Sequence, residues 1–196
     1  IAGPIVHHKE MLPQFAKDAL YGLKSKNLAV GLTIFIIGLF KKVVLADGIA
    51  VYATSVFAGA EHGVYLTFFE AWGGALAYTF QLYFDFSGYS DMAIGLARMF
   101  GITLPVNFSS PYKAHNIAVF WRRWHITLSR LIKDYLFYPI ALSLTRYAVI
   151  RNYGSISLFI LTILLPTMFA YFWVGLWHGA GWKFILFGLA HGTYIV

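Results

Sequence analysis

Apolar residues run along this chain in long blocks separated by short polar breaks. Leu28 to Phe40 is apolar, Lys41 and Lys42 interrupt, and Val43 to Ala60 resumes with Asp47 as its one charge. The first block alone would rise only ~20 Å as a helix, too short for a bilayer core of ~30 Å. The pattern predicts either one long helix with snorkelling lysines or a broken pair. Val64 to Phe84, with Glu70 its only charge, reads as a second span. The run Asp85-Phe86-Ser87-Gly88-Tyr89-Ser90-Asp91 reads as polar punctuation, with Ser90 the N-cap of a further helix ending at Gly101. Pro105 to Pro111 is a loop. Asn116 to Tyr135 reads as one basic amphipathic helix. At roughly 100° per residue, Trp121, Trp124, His125, Leu128, Leu131, Ile132 and Tyr135 share a face, and Arg122, Arg123, Ser129, Arg130, Lys133 and Asp134 take the other. Such a helix lies at an interface or re-enters the membrane. Ser155 to Trp177 carries no charge and reads as a span, kinked at Pro166. Residues 1 to 26, with Lys17 and Asp18 among their charges, read as a loop plus a short surface helix.

Composition turns these blocks into a membrane protein. Of 196 residues, 59% are hydrophobic and 12% charged, against ~25% charged in an ordinary soluble domain. Aromatics reach 19%, and mean hydropathy is +0.67. The net charge of +7 sits on residues flanking apolar spans, as orientation-setting loop charges do. No basic tract has the polar surroundings of a phosphate-binding face, so nucleic acid is not expected as a partner. Cysteine is absent, which removes disulfides, thiolate metal sites and a Cys nucleophile. The expectation is an all-α, polytopic membrane fold forming a single domain over 1–196, an internal piece of a longer protein.

Two histidines carry most of the candidate chemistry. His178 lies in Trp177-His178-Gly179-Ala180-Gly181-Trp182, at the end of the charge-free span. An ionisable group there is costly and is usually retained for function, here as a general base. The glycines let a substrate or another backbone approach closely. His125 falls on the apolar face of its helix, where it meets an interior or a channel, or packs into an aromatic belt. If protonated, His125 would supply the donor that a developing oxyanion needs. Arg122 and Arg123 read as headgroup anchors, with a clamp for a phosphate-bearing substrate as the sharper alternative. Asp85 and Asp91 are expected to cap helices and to pair with a base such as Arg98. His191 repeats the setting of His178, Gly175-Leu176-Trp177-His178-Gly179 against Gly188-Leu189-Ala190-His191-Gly192. On one helix the two would lie ~20 Å apart, so His191 reads as helix packing or a channel wall. No metal-ligand spacing is present, so neither metal nor bound cofactor is expected.

These segments resemble the membrane-bound O-acyltransferase family, in particular its alginate O-acetyltransferase branch. The resemblance is carried by Ile1 to Ile5, by Gln81 to Asp91, by Asn107-Phe108-Ser109-Ser110-Pro111-Tyr112, by Phe120 to Ser129 and by Gly175 to Trp182. It implies a ring of tilted and re-entrant helices around a thin centre, only part of which this chain would supply. It implies that His178 is catalytic with His125 its companion, and that Trp177, Trp124, Arg122, Arg123, Asp85 and Asn116 are candidate supporting residues. It further implies an acyl thioester as donor and hydroxyls of an exported polysaccharide, or periplasmic acetyl-transfer proteins, as acceptors. The setting would be a bacterial inner membrane, with lipid as the other partner. D-alanyl transfer to teichoic acid is the alternative within the class; a polysaccharide-export or transporter subunit with proton-relay histidines is the alternative outside it. Val106, Val119 and Ile140-Ala141-Leu142 depart from the branch pattern, and the last two departures flank the His125 helix, where acceptor choice and partner docking would be set.

Overall fold

The computed structural model describes residues 3–16 and 24–196; Ile1, Ala2, Lys17 and Asp18 therefore lie outside the described residues. Among the described residues all regular structure is helical. The chain divides into two compact units, Ile1–Phe108 and Ser109–Val196.

The first unit is built on two long antiparallel helices that follow the short α1 (His8–Phe15). The two apolar blocks around Lys41 and Lys42 form one unbroken helix, α2 (Ser25–Glu61), with a π-helical stretch at Lys41–Ala46 where the lysines fall. α3 (Phe68–Met99) follows. A capping box starts it: the Thr67 hydroxyl accepts from the Glu70 amide, and the Glu70 carboxylate accepts from the Thr67 amide at 2.8 Å. The expected break at Asp85 to Asp91 does not occur. Ser87, Gly88 and Ser90 are buried in the middle of α3, and Ser90 accepts a hydrogen bond from the Asn107 side chain at 3.1 Å. With Ser90 bonded to Asn107, and Asp85 and Asp91 paired with lysines, the polar run has no need to end the helix. Gly101, at φ +80°, ends it as expected.

Small residues decide how closely α2 and α3 pack. A Cβ on Gly31 would fall 2.6 Å from the Gly95 carbonyl oxygen, and one on Gly38 would fall 2.6 Å from that of Gly88. The pairs run in opposite directions along the two helices, so the backbones touch at two levels. One step beyond Gly38, Lys41 pairs with Asp91 at 2.6 Å, and Lys42 pairs with Asp85 at 2.6 Å and Asp47 at 2.8 Å. These carboxylates therefore meet lysines of α2 instead of Arg98, and the lysines are compensated within the helix pair rather than left to snorkel.

In the second unit, Asn116 caps α4 (Ile117–Trp121) by accepting from the Val119 amide at 2.8 Å. α5 (Ile126–Ile132) continues through a π-helical segment (Lys133–Phe137) into α6 (Tyr138–Ile150). α7 (Ser155–His178) contains a π-helical segment at Ile160–Leu164, directly ahead of Pro166, which lacks the N–H of a regular helical turn. α8 (Trp182–Ile195) folds back along α7. Among the described residues, α2 and α7 are the two helices long and apolar enough to cross a membrane. α3 is not one of them, contrary to the reading of Val64 to Phe84; it begins at Phe68 and carries Tyr, Gln and Asp through its middle.

Candidate active site

The predicted amphipathic helix from Asn116 to Tyr135 is broken at its centre, and the break places His125. α4 ends at Trp121, residues 122–124 turn, and His125 takes a left-handed backbone, φ 42° and ψ 55°, as the N-cap of α5. A non-glycine residue in that region is strained and persists only where its surroundings hold it. Here the Ser129 hydroxyl donates to the Trp121 carbonyl at 3.2 Å and the Ser109 amide donates to the Arg123 carbonyl at 2.9 Å. Phe120 and Trp124 stack across the turn with ring centroids 5.6 Å apart, and Tyr112 packs on both. His125 is 4% exposed. Burial pushes its imidazole down to about 4, and the nearby His178 pushes the same way. Burial thus favours the neutral imidazole over the protonated form considered from the sequence, and a neutral imidazole also donates, through its N–H.

His178 is the last residue of α7, exposed, with the Trp177 ring 4.9 Å away on one side and the Phe187 ring 5.5 Å away on another. The chain turns at Gly179 to Gly181. A Cβ on Gly179 would collide with the Phe184 ring, so the turn closes only on a bare backbone. Gly175 and Gly188 then lie against each other, Cβ of one position meeting Cα of the other at 2.9–3.2 Å.

This hairpin overturns the distance argued for His191. With α7 and α8 antiparallel, Phe187 packs on both His178 at 5.5 Å and His191 at 4.5 Å. A charge on His178 is felt at both His125 and His191. The three histidines thus belong to one cluster. Trp121 closes it from α4, edge-to-face with His191 at 5.0 Å. Sequence reasoning passed over Trp121, Phe187 and His191 as participants. The signal was present in Gly-Ala-Gly between two apolar runs, which predicts a turn, and in glycines matched across it.

Trp121 and Tyr171, with rings 5.9 Å apart, are also part of the wall of a largely apolar cavity of about 320 Å³. Arg122, Lys133, Ser129 and Thr167 supply its polar groups. Arg122 is exposed and reaches this cavity, whereas Arg123 is half-buried. Trp177 is exposed beside His178, and Trp124 belongs to the aromatic stack that holds the turn. Asn116 acts as a helix cap. Asp85 belongs to the first unit, paired with Lys42.

Comparison with known proteins agrees with the resemblance read from the motifs. The profile of the membrane-bound O-acyltransferase (MBOAT) family matches residues 1–196. The chain is 52% identical over 193 residues to the peptidoglycan O-acetyltransferase of Helicobacter pylori, covering 98% of this chain and 33% of that protein. It is 45% identical over 195 residues to the probable alginate O-acetylase AlgI of Azotobacter vinelandii, covering 100% and 35%. It is 35% identical over 124 residues to the teichoic acid D-alanyltransferase of Streptococcus thermophilus, covering 63% and 28%. The chain thus spans about a third of the length of the curated relatives it matches first.

Proposed function

The chain belongs to the membrane-bound O-acyltransferase family, and from that premise we propose that it carries the reaction centre of an O-acetyl transfer to hydroxyls of an exported glycan. The observation that carries this reading is the gathering of His125 and His178 in one unit, one buried and neutral, the other exposed at a helix end. His178 takes the proton of the acceptor hydroxyl. The hydroxyl oxygen attacks the carbonyl of an acyl thioester, a C–O bond forms, the C–S bond breaks, and the proton passes to the departing thiolate. His125, held by its backbone, donates an N–H to the oxygen on which charge develops. Arg122 and Lys133, with the cavity beside them, suit an anionic donor carried on an apolar or flexible arm. The protein acts in a bacterial inner membrane as a multi-pass enzyme, between a thioester on one side and a glycan, or a protein that relays the acetyl group, on the other.

The motifs alone suggest alginate as the glycan. Identity is higher to the peptidoglycan transferase than to the alginate O-acetylases. That difference favours peptidoglycan, and it accords with the departures at Val106, Val119 and Ile140 to Leu142. D-alanyl transfer has the weaker support of a shorter match.

His178→Ala in the full-length protein tests the reading. Mild alkali should release acetate from the glycan fraction of wild-type cells. The variant should release only background acetate at normal membrane abundance. Unchanged acetate would overturn the assignment of His178, and released D-alanine in place of acetate would move the donor to the aminoacyl class.

A further inference from the structure

Nε1 of Trp121 and Nδ1 of His191, in the histidine cluster, are buried polar atoms with no hydrogen-bond partner among the described residues. They belong to rings in direct contact, 5.0 Å apart and perpendicular. The indole N–H only donates. The imidazole Nδ1 accepts when the proton sits on Nε2. A buried polar atom left unpaired is costly, and a phenylalanine at either position would keep the ring contacts without that cost. Phe187 shows what simple packing looks like: it contacts both His178 and His191 with no polar atom at all. Trp121 also forms part of the wall of the neighbouring cavity, so its ring joins that cavity to His191.

We propose that Trp121 and His191 form a hydroxyl-binding pair, which holds a non-reacting hydroxyl of the acceptor and so positions its reacting hydroxyl for His178. A hydroxyl satisfies both atoms at once, because its oxygen accepts from the indole N–H while its proton is donated to the imidazole. A thioester carbonyl accepts only, so it would leave Nδ1 of His191 unpaired. Discrimination follows from the same chemistry, since an acceptor lacking the hydroxyl leaves two buried polar atoms unsatisfied. The proposal rests on the assignment of His178 as the base.

The test uses the full-length protein in its own host, with alkali-released acetate from the glycan as activity and the unfolding temperature of the purified protein as structure. His191→Phe and Trp121→Phe should each lower O-acetylation on the order of tenfold, the scale of one lost hydrogen bond to the acceptor. Their unfolding temperatures should equal or exceed that of the wild type. His191→Gln, which retains polar atoms, should keep several-fold more activity than His191→Met, which does not. His178→Ala runs beside them. Acetylation surviving in His178→Ala would overturn the underlying assignment. A null His178→Ala together with fully active His191→Phe and Trp121→Phe would overturn the hydroxyl pair alone. If His191→Phe fails to accumulate, the Gln and Met variants decide at matched abundance, and equal activity in those two would also overturn the pair.

Discussion

His125 shows how one residue is asked to do two incompatible things. Its backbone occupies the left-handed region and its side chain is buried. Asparagine tolerates that backbone, whereas a β-branched side chain does not. His125→Asn should therefore keep the fold and lose transfer, while His125→Val should cost about 1–3 kcal/mol of stability in addition. The ionisation of His125 gives a second readout. Its folded value of about 4 lies below the ordinary 6.5, so between these limits the unfolded chain binds more protons than the folded one. Stability from this group is complete above pH 6.5 and is lost as pH falls toward 4. Thermal unfolding of the wild type and His125→Asn across that range should show the wild type losing more on acidification, the other histidines being common to both. Parallel curves would mean that His125 is not held neutral by burial.

Elements were legible in the sequence where periodicity and length agreed. The charge-free run from Ser155 is a helix ending at His178, a helix starts at Asn116, and Gly101 is a terminator. Two elements depart from the sequence reading, for different reasons. Asp85 to Asp91 reads as a break because its carboxylates suit helix caps paired with Arg98, yet Lys41 and Lys42 lie opposite on α2. The helix from Asn116 looked continuous because its residues fit one face, yet tertiary contacts at Trp121 and Arg123 hold a left-handed turn within it. The hairpin of α7 and α8 was invisible to a one-helix ruler, and its matched glycines make it possible. A Cβ on Gly188 would come 2.9 Å from the Cα of Gly175 and closer still to the Tyr171 carbonyl. Gly188→Ala should thus force the helices apart at a cost of about 1–3 kcal/mol and separate His178 from His191. Its signature would be lost O-acetylation with a lowered unfolding temperature, unlike His191→Phe, which should lose activity alone. An unchanged unfolding temperature in Gly188→Ala would show that the hairpin is looser than its packing indicates.

At the scale of the whole molecule, the apolar surface is turned outward. In the most apolar windows of α2 and α7 only 11% and 17% of the residues are buried by protein, and Ile36, Val43, Leu165 and Phe169 are all exposed. In water such surfaces would drive association; in lipid they are the solvent-facing side. The 37 residues of α2 rise ~55 Å, more than a ~30 Å core requires, so the helix must tilt or extend beyond it. Its ends should then lie on opposite sides of the membrane. This chain holds no cysteine, so labelling of introduced thiols measures it once any cysteine elsewhere in the full-length protein is replaced. Single substitutions Lys24→Cys, Ile36→Cys and Tyr65→Cys in the otherwise intact protein place thiols before α2, within it and after it. A membrane-impermeant maleimide should label the first and third from opposite faces of sealed vesicles, and the second from neither. Labelling of all three from one face would place α2 outside the bilayer. It would also remove the partition between donor and acceptor on which transfer across a membrane depends.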